Sequence, residues 1–408
     1  MFRCGIRRLA SSRALKFSPS CAPCLPLSQP PPSPSVSSTL LLPAHSRLQR
    51  HRTMTCNSSP SRGGIEKIPN TSIRVLRSVD AVRRWRKPHM LDRRTVGLVP
   101  TMGALHEGHI SLIRAAAAEN HHVVVSIYVN PAQFGISEDL SSYPVTWAKD
   151  TALLAQLDRE LAENGSNLGG ISAIFAPTTQ EMYPSRFPGQ EPTSKGSFVT
   201  ITPVGEVLEG ASRPTFFRGV ATVCMKLFNI VQPDRVYFGQ KDVQQTVVIK
   251  SMVRDFMLPM QVVIGPTMRE SDGLALSSRN VYLGTRRRAV ATVLHHSLQA
   301  AEAEHKNGKG DRESILDAAR QNANTVLEQQ MQLQPSQRVK FEVDYFSMAD
   351  PDTMLEVDSV DPKKGAILSG AIKMLPVEEP QDGEDLGHSN GPAVRLIDNI
   401  ILPPSQTE

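Results

Sequence analysis

Apolar residues from about Thr71 onwards fall into short runs that alternate between two spacings. Near-continuous β-branched runs such as 123–129 are typical of strands covered on both faces, as in a parallel sheet. The stretch 217–231 repeats its apolar residues every three or four positions, which indicates an amphipathic helix. This alternation predicts an α/β fold with a doubly wound, Rossmann-like parallel sheet over residues 72–265. The predicted strands are 95–99, 123–129, 172–176, 234–238 and 260–264, and the predicted helices are 108–118, 147–163, 217–231 and 243–256.

The pattern changes after about residue 266, where we expect a smaller α+β domain that extends to residue 402 and acts as a lid. Phe341, Val343 and Tyr345 alternate with polar residues, which indicates a strand buried on one face. Residues 376–392 are rich in Glu, Asp, Gly and Pro, a composition that favours a disordered surface loop. The other elements predicted here are helices at roughly 285–305 and 311–331 and strands at 365–374 and 394–402.

The first 65 residues differ in composition from the rest of the chain, and we expect them to form a disordered basic extension. They hold nine Arg and Lys residues and no Asp or Glu. An Arg- and Ser-rich segment without acidic residues is typical of a mitochondrial presequence. A disordered tail, or upstream sequence skipped by initiation at Met54, explains the composition equally well. We therefore predict a cytoplasmic or mitochondrial location.

The rest of the chain has a charge that argues against several classes of protein. The whole sequence carries a formal net charge of +5, but outside the extension 36 basic residues face 40 acidic ones. Nucleic-acid binding is disfavoured, because it requires a clustered basic face. No run of 18 apolar residues is present, so no membrane span is expected. Cys224 is the one cysteine outside the extension, which argues against a disulfide framework and fits a reducing compartment.

The strongest chemical signal is residues 100–109, between a predicted strand and the next helix. His106 and His109 flank Gly108 there. Free backbone N–H groups and the positive end of a helix dipole attract phosphate to such a position, and two imidazoles add donors for charge that builds up on it. Glycine lets a nucleotide approach the backbone closely. The spacing also fits metal binding, but a zinc site needs a further nearby ligand, and none is evident.

Three more polar segments follow predicted strands. In Gly239-Gln240-Lys241-Asp242, the lysine can contact a phosphate and the aspartate can cap the next helix; a capped, solvated turn is the alternative. Residues 274–280 can wrap a triphosphate and close over a labile intermediate, or their serines can cap the following helix. Polar residues able to bind a small organic acid, or to serve as caps, are Asn130, Gln133, Gln244 and Gln245.

Six motifs that occur here in order resemble those of the pantothenate synthetase family, also called pantoate–β-alanine ligases. They are Pro-Thr-Met-Gly-x-Leu-His-x-Gly-His, Val-Asn-Pro-x-Gln-Phe, Leu-Glu-Gly-x-x-Arg-Pro, Phe-Arg-Gly-Val, Phe-Gly-x-Lys-Asp-x-Gln-Gln and Asp-Gly-Leu-Ala-x-Ser-Ser-Arg-Asn. The resemblance covers roughly 72–402. His-x-Gly-His alone indicates only the wider nucleotidyltransferase superfamily, shared with class I aminoacyl-tRNA synthetases, and its sheet type. The extension, a Gly-rich insertion near 164–170 and the acidic segment point to a eukaryotic form, which we expect to be fungal.

The resemblance implies a two-step reaction. The pantoate carboxylate attacks the α-phosphorus of Mg-ATP and gives pantoyl adenylate and pyrophosphate; the β-alanine amine then displaces AMP. The implied substrates are ATP, pantoate and β-alanine, with Mg as cofactor, and the implied assembly is a homodimer.

The motifs also imply site residues. His109 is the expected proton donor, and His106 and Lys241 are the other expected catalytic residues. The implied ATP site is Met102, Gly103, His106, Gly108, His109, Gly239, Gln240, Lys241, Asp242, Met268, Leu276, Ser277, Ser278 and Arg279. The implied pantoate and β-alanine site is Gln133 and Gln245, supported by Asn130 and Arg213.

Two departures from the family pattern fall close to these motifs. Phe216 stands where many bacterial relatives have a histidine, and Gln240 replaces a glutamate, so no protein ligand is assigned to Mg. Two other classes of function are open at this point. A nucleotidyltransferase that moves AMP onto a phosphate-bearing acceptor would need a basic acceptor pocket. A non-catalytic binding module would be favoured by loss of a motif histidine or of Lys241, and all of these are present.

Overall fold

The computed structural model describes residues 66–135 and 140–404, so the predictions made for residues 1–65 lie outside the described residues. Two sheets organise the described chain. The strands are β1 (Arg74–Leu76), β2 (Val96–Thr101), β3 (His122–Ile127), β4 (Gly170–Phe175), β5 (Arg235–Gly239), β6 (Gln261–Gly265), β7 (Phe341–Ala349), β8 (Ala366–Met374) and β9 (Val394–Leu402). The helices are α1 (Val79–Leu91), α2 (Glu107–Glu119), α3 (Trp147–Glu163), α4 (Thr179–Met182), α5 (Glu209–Ser212), α6 (Phe216–Val231), α7 (Val243–Asp255), α8 (Gly284–Val290), α9 (Val293–Lys306) and α10 (Arg312–Met331).

The first sheet is parallel throughout, with the strand order β1-β4-β3-β2-β5-β6. Successive side chains of a strand point to opposite faces. Val124 accordingly packs with α1, α6 and α7, whereas Val123 and Val125 pack with α2 and α3. The predicted doubly wound α/β fold is therefore confirmed. The chain runs outward from β2 in one direction and from β5 in the other, so these strands flank the switch point, where such sheets bind ligands.

The second sheet is antiparallel, with the order β7-β8-β9, and confirms the predicted α+β character of the later part of the chain. Helices α9 and α10 pack against it through residues such as Leu298 and Ile315, which share a core with Leu368. In this region the structure corrects one helix and one strand.

The predicted single helix at 285–305 is wrong, because α8 and α9 are separated by a tight turn at Ala291, whose N–H bonds to the carbonyl of Arg288 at 3.4 Å. The predicted alternation along β7 is also broken. A β-bulge between Val343 and Tyr345 inserts an extra residue, so that Phe346 and Met348 are buried after it. Val343 is 40% exposed and lines the cleft described below.

The acidic segment 376–392 makes more contacts than its composition predicted. Glu378 accepts hydrogen bonds from Arg338 at 2.6 Å and Lys340 at 2.5 Å. Beside it, the fully buried Arg287 donates to backbone carbonyls that include Pro392 at 2.7 Å and Leu386 at 3.0 Å. We call the part of the chain that holds the parallel sheet the first subdomain, and the part that holds the second sheet with α9 and α10 the second subdomain. The acidic segment is thus tied to the second subdomain by ion pairs and by a buried guanidinium.

Three aromatic rings, those of Trp85, His89 and His122, pack together at the amino-terminal edge of the parallel sheet. The ring centroids of His89 and His122 lie 3.8 Å apart, and those of Trp85 and His89 lie 4.8 Å apart. Burial, and then the charge that a protonated His89 would carry, lowers the pKa of His122 to about 4. The unfolded chain therefore binds a proton at higher pH than the folded chain does, so stability is lost as the pH falls from about 6.5 towards 4.

We expect the free energy of unfolding to fall between pH 7 and pH 5, and His122→Asn to remove part of that fall. After allowance for solvent screening, the part that His122 contributes is about 1 kcal/mol. Urea unfolding of both proteins at the two pH values measures it. Parallel pH dependence in the two proteins would contradict this interpretation.

Candidate active site

A cleft of about 1190 Å³ opens at the carboxyl ends of β2 and β5, beside the switch point of the parallel sheet. Segments from both subdomains line it, including the 266–282 connection and parts of β7, β8 and β9. Gly103 and Gln240 are the two predicted site residues that do not line it. The predicted residues that do are Met102, His106, Gly108, His109, Asn130, Gln133, Arg213, Gly239, Lys241, Asp242, Gln245, Met268, Leu276, Ser277, Ser278 and Arg279.

The two motif histidines form an imidazole capping box at the start of α2. Nδ1 of His106 accepts the N–H of Gly108 at 3.1 Å, and Nδ1 of His109 accepts the N–H of His106 at 3.4 Å. A neutral imidazole that accepts at Nδ1 carries its proton on Nε2. Both rings are therefore fixed in the tautomer that donates from Nε2, and their centroids lie 4.1 Å apart.

Both imidazoles are neutral at physiological pH. Burial, assisted by the nearby Lys241 ammonium, lowers the pKa of His106 to about 4. Burial and then the proximity of His106 lower the pKa of His109 to about 3. The pair therefore presents neutral N–H donors, rather than imidazolium ions, to the cleft.

Asp150 shapes the loop that leads into these histidines, and sequence reasoning missed it. Its buried carboxylate accepts the N–H groups of Ala104 at 3.0 Å and Leu105 at 2.8 Å. Gly103 adopts φ +85°, and an added Cβ would lie 3.1 Å from Asp150 Oδ2. Gly103 therefore serves the path of the loop rather than contact with a ligand in the cleft.

The turn after β5 brings Lys241 to the cleft and corrects two expectations. Lys241 Nζ lies 3.7 Å from Asp242 Oδ1. Asp242 occupies the N-cap position of α7 but makes no side-chain capping bond, so the predicted cap is wrong. Gln240 does not line the cleft, and its amide donates to Asn399 Oδ1 at 3.2 Å.

The segment 268–279 reaches the motif histidines from the second half of the chain. It begins as a short hairpin, in which the N–H of Leu276 bonds to the carbonyl of Met268 at 2.9 Å. Ser277 is a cap, because its hydroxyl accepts the N–H of Arg279 at 3.2 Å. Ser278 donates to the carbonyl of Ala104 at 3.1 Å and so joins the segment to the histidine loop. The two predicted nucleotide segments therefore line one cleft.

A chain of amide hydrogen bonds fixes which end of Gln133 can face a ligand. Asn130 Oδ1 accepts from the Tyr183 hydroxyl at 2.7 Å, and its Nδ2 donates to the carbonyl of Gly219 at 3.3 Å. The same Nδ2 donates to Gln133 Oε1 at 3.1 Å. Because Oε1 is already used, Gln133 presents its Nε2 donors to the cleft. Asn130 therefore has two roles. It caps the short turn 131–133, as the sequence analysis allowed, and it orients the amide of Gln133.

Arg213 explains the phenylalanine that departs from the family pattern. Its guanidinium lies 3.8 Å from the ring centroid of Phe216 and donates to the carbonyl of Gln133 at 3.0 Å. An aromatic face at position 216 thus supports the arginine beside Gln133 through a cation–π contact. Gln244 and Gln245 both line the cleft. The Gln244 amide is already used, because it bonds to the backbone of Val204, Val207 and Glu209.

A charged network on the far wall of the cleft was also missed by sequence reasoning. Arg395 pairs with Glu209 and donates to Asp344 at 2.8 Å, and the Tyr345 hydroxyl donates to Glu209 at 2.9 Å. Glu209 belongs to one of the six motifs, whereas the other three residues follow the last motif, so only the fold brings them together. Within residues 66–135 and 140–404, no group of three or more His, Cys, Asp or Glu residues is arranged to hold a metal ion. The described helices include none long and apolar enough to cross a membrane.

Comparison with known proteins decides the family. A profile described as Pantoate-beta-alanine ligase matches residues 74–401. The chain belongs to the pantoate–β-alanine ligase family. As a member it is an enzyme, a ligase of pantothenate biosynthesis that forms a carbon–nitrogen bond.

Relatives and solved structures agree with this assignment. The pantothenate synthetase of Roseiflexus castenholzii is 43% identical over 327 residues, covering 80% of this chain and 99% of the relative. The one from Chloroflexus aggregans is 44% identical over 307 residues, covering 75% and 93%. The crystal structure of the Thermus thermophilus enzyme has a TM-score of 0.62 and 36% identity, covering 81% of this chain and 99% of that one. The Francisella tularensis ligase, complexed with "Beta-gamma ATP and Beta-alanine", has a TM-score of 0.55 and 26% identity, covering 82% and 98%. These relatives are bacterial, and a fungal origin of this chain stays a prediction.

Proposed function

We propose that this protein condenses pantoate with β-alanine through a pantoyl-adenylate intermediate and releases pyrophosphate and AMP. One observation carries the proposal: neutral imidazole donors, the Lys241 ammonium and the Ser277–Arg279 segment face one cleft, next to the oriented amide of Gln133. A carboxylate is a poor acyl donor until adenylation gives it a good leaving group. The solved relative that holds an ATP analogue and β-alanine supports the identity of two of the substrates.

In the first step the ATP phosphates lie between the histidine pair and the Lys241 and Arg279 cations. The pantoate carboxylate oxygen bonds to the α-phosphorus while the bond to the β-phosphate oxygen breaks. Negative charge then builds on the α-phosphoryl oxygens and leaving pyrophosphate, where Nε2–H of His106 and His109 can stabilise it. Their low pKa values argue for hydrogen-bond donation by neutral rings rather than the expected proton transfer from His109.

Magnesium is implied by the resemblance, and the residues present fit it at one position. Mg²⁺ binds through one or two carboxylates together with substrate phosphates. Asp242 faces the cleft beside Lys241 without being used as a helix cap, so its carboxylate would hold the ion. The bound ion would neutralise charge on the phosphates.

In the second step the β-alanine amine attacks the acyl carbon, the bond to AMP breaks, and the amine loses a proton. Gln133 and Gln245 hold pantoate through N–H donors, and Gln133 also lies near β-alanine. Holding the reactants in line removes an entropic barrier of roughly several kcal/mol. The second subdomain acts as the lid that excludes water from the adenylate.

The deciding experiment is an AMP-release assay in which pantoate and β-alanine are each omitted in turn. We expect AMP only when both are present, and pantoate-dependent pyrophosphate release without β-alanine only up to one equivalent per site. AMP transfer to a phosphate-bearing acceptor would instead support a nucleotidyltransferase. No ATP consumption under any condition would support a binding module.

We also propose a homodimer and a cytoplasmic or mitochondrial location, both on the resemblance and the composition of the extension. Light scattering after size exclusion tests the dimer, and a monomeric mass for the active protein would contradict it. Imaging fluorescent fusions with and without residues 1–53 tests whether the extension is a mitochondrial targeting signal.

A further inference from the structure

Two adjacent residues of β9 connect the second sheet to both nucleotide-facing segments. Asp398 is 4% exposed and Asn399 is 1% exposed. β9 is an edge strand of its sheet, so one side of its backbone is not paired with another strand. Successive side chains of a strand point in opposite directions. The two residues can therefore reach two different segments from one short stretch of backbone.

Asn399 holds the turn that carries Lys241. Its Nδ2 donates to the carbonyls of Gln240 and Lys241, each at 2.9 Å. Its Oδ1 accepts from Gln240 Nε2 at 3.2 Å. Both N–H groups of the Asn399 amide are used on this turn, so the amide fixes the backbone of Lys241 relative to β9.

Asp398 holds the hairpin that leads to Arg279. Its carboxylate accepts hydrogen bonds from Nη1 and Nη2 of Arg269 at 2.5 and 2.9 Å. Arg269 also donates to the carbonyl of Gly273 at 3.0 Å, inside the same hairpin. A two-pronged pair between a guanidinium and a carboxylate adds geometric specificity as well as attraction. Arg279 therefore emerges from a hairpin whose position is set by β9.

We propose that Asp398 and Asn399 are positioning residues for ATP, which hold the Lys241 turn and the 268–279 hairpin at the separation that the nucleotide phosphates span. The inference deepens the proposed function and rests on it for the identity of the nucleotide. It also assigns a role to Gln240. The amide at this position supplies the N–H that Asn399 Oδ1 accepts, so Gln240 supports Lys241 instead of contacting ATP.

Asn399→Asp is the first test, because it replaces the two N–H donors with a carboxylate of the same size that faces two carbonyl oxygens. We expect the KM for ATP to rise about tenfold or more, with the KM for pantoate within about twofold of wild type. A residue needed only for folding would lower the amount of active enzyme and leave both KM values unchanged.

Asn120→Asp is the matched control. Asn120 is fully buried, donates to the Ala116 carbonyl at 2.9 Å and the Tyr237 hydroxyl at 2.7 Å, and accepts from Arg235 at 3.3 Å. Its bonding is like that of Asn399, but none of these bonds reaches the Lys241 turn or the 268–279 hairpin. We expect this variant to lose stability and to keep the wild-type KM for ATP.

Arg269→Lys is the second test, for use if Asn399→Asp does not fold. We expect it to fold, because the Arg269 side chain is 22% exposed. It retains the charge and loses the two-pronged pair, and we expect the KM for ATP to rise about threefold or more. Calorimetric titration with a β,γ-methylene analogue of ATP measures the same effect without turnover. If the wild-type protein binds the analogue but makes no pantothenate, the proposed function is contradicted and the positioning role of Asp398 and Asn399 is not. Wild-type affinity for the analogue in the folded variants would overturn the inference alone.

Discussion

His109→Ala is expected to lower pantoate-dependent pyrophosphate release by about 10²- to 10³-fold, the usual cost of losing one donor to a developing anion. ATP affinity is expected to change only a few-fold, because the neutral Nε2–H gains most of its strength when charge builds on the α-phosphoryl group. Single-turnover pyrophosphate release and equilibrium binding of the β,γ-methylene analogue separate the two effects.

His296→Ala is the matched control for this variant, since His296 is an exposed histidine of α9 that does not line the cleft. It is expected to release pyrophosphate at the wild-type rate. Normal release by the His109 variant would refute the role assigned to His109, whatever its effect on binding.

Gln133→Glu is expected to raise the KM for pantoate by about 100-fold or more, because a carboxylate there removes the N–H donors and repels the substrate carboxylate. Asn130 reinforces the effect, because its Nδ2 donates to the oxygen of the residue-133 side chain. In the variant, the second carboxylate oxygen would then face the cleft in place of the amide N–H groups. Initial rates at varied pantoate, with ATP and β-alanine saturating, measure the change.

The same change of charge at Gln180, an exposed residue of α4, provides the comparison. Gln180→Glu is expected to keep the wild-type KM for pantoate. A Gln133 variant with an unchanged KM for pantoate would show that pantoate binds elsewhere in the cleft.

Local patterns predicted most of the parallel sheet, because buried parallel strands and amphipathic helices have clear periodicities. The predicted helix at 147–163 has the bounds of α3. Helix α1 was missed, since it exposes the three basic residues Arg83, Arg84 and Lys87 to solvent, buries only Val82, Trp85 and Arg86, and contains Pro88. Its composition resembles a polar linker until the sheet supplies a surface for Trp85.

The candidate site was predictable where its residues lie close together in the sequence, as in the histidine motif. The wall made by Arg395 and Glu209 was not, because 186 positions separate the two residues. The β-bulge in β7 could not be predicted from the sequence either, because one inserted residue changes which side chains face the core without altering composition. Non-local pairing of charges and local register of strands depend on the assembled fold.

The buried Arg287 limits how the acidic segment can vary among relatives. A guanidinium placed inside a protein depends on the oxygen atoms around it, and two of the carbonyls that serve Arg287 belong to Leu386 and Pro392. Deletions within 379–384 would leave that shell of oxygens intact. Shortening the stretch from 386 to 392 would remove the carbonyl oxygens that solvate the Arg287 charge. We therefore expect length variation among relatives to concentrate on the first half of the acidic segment.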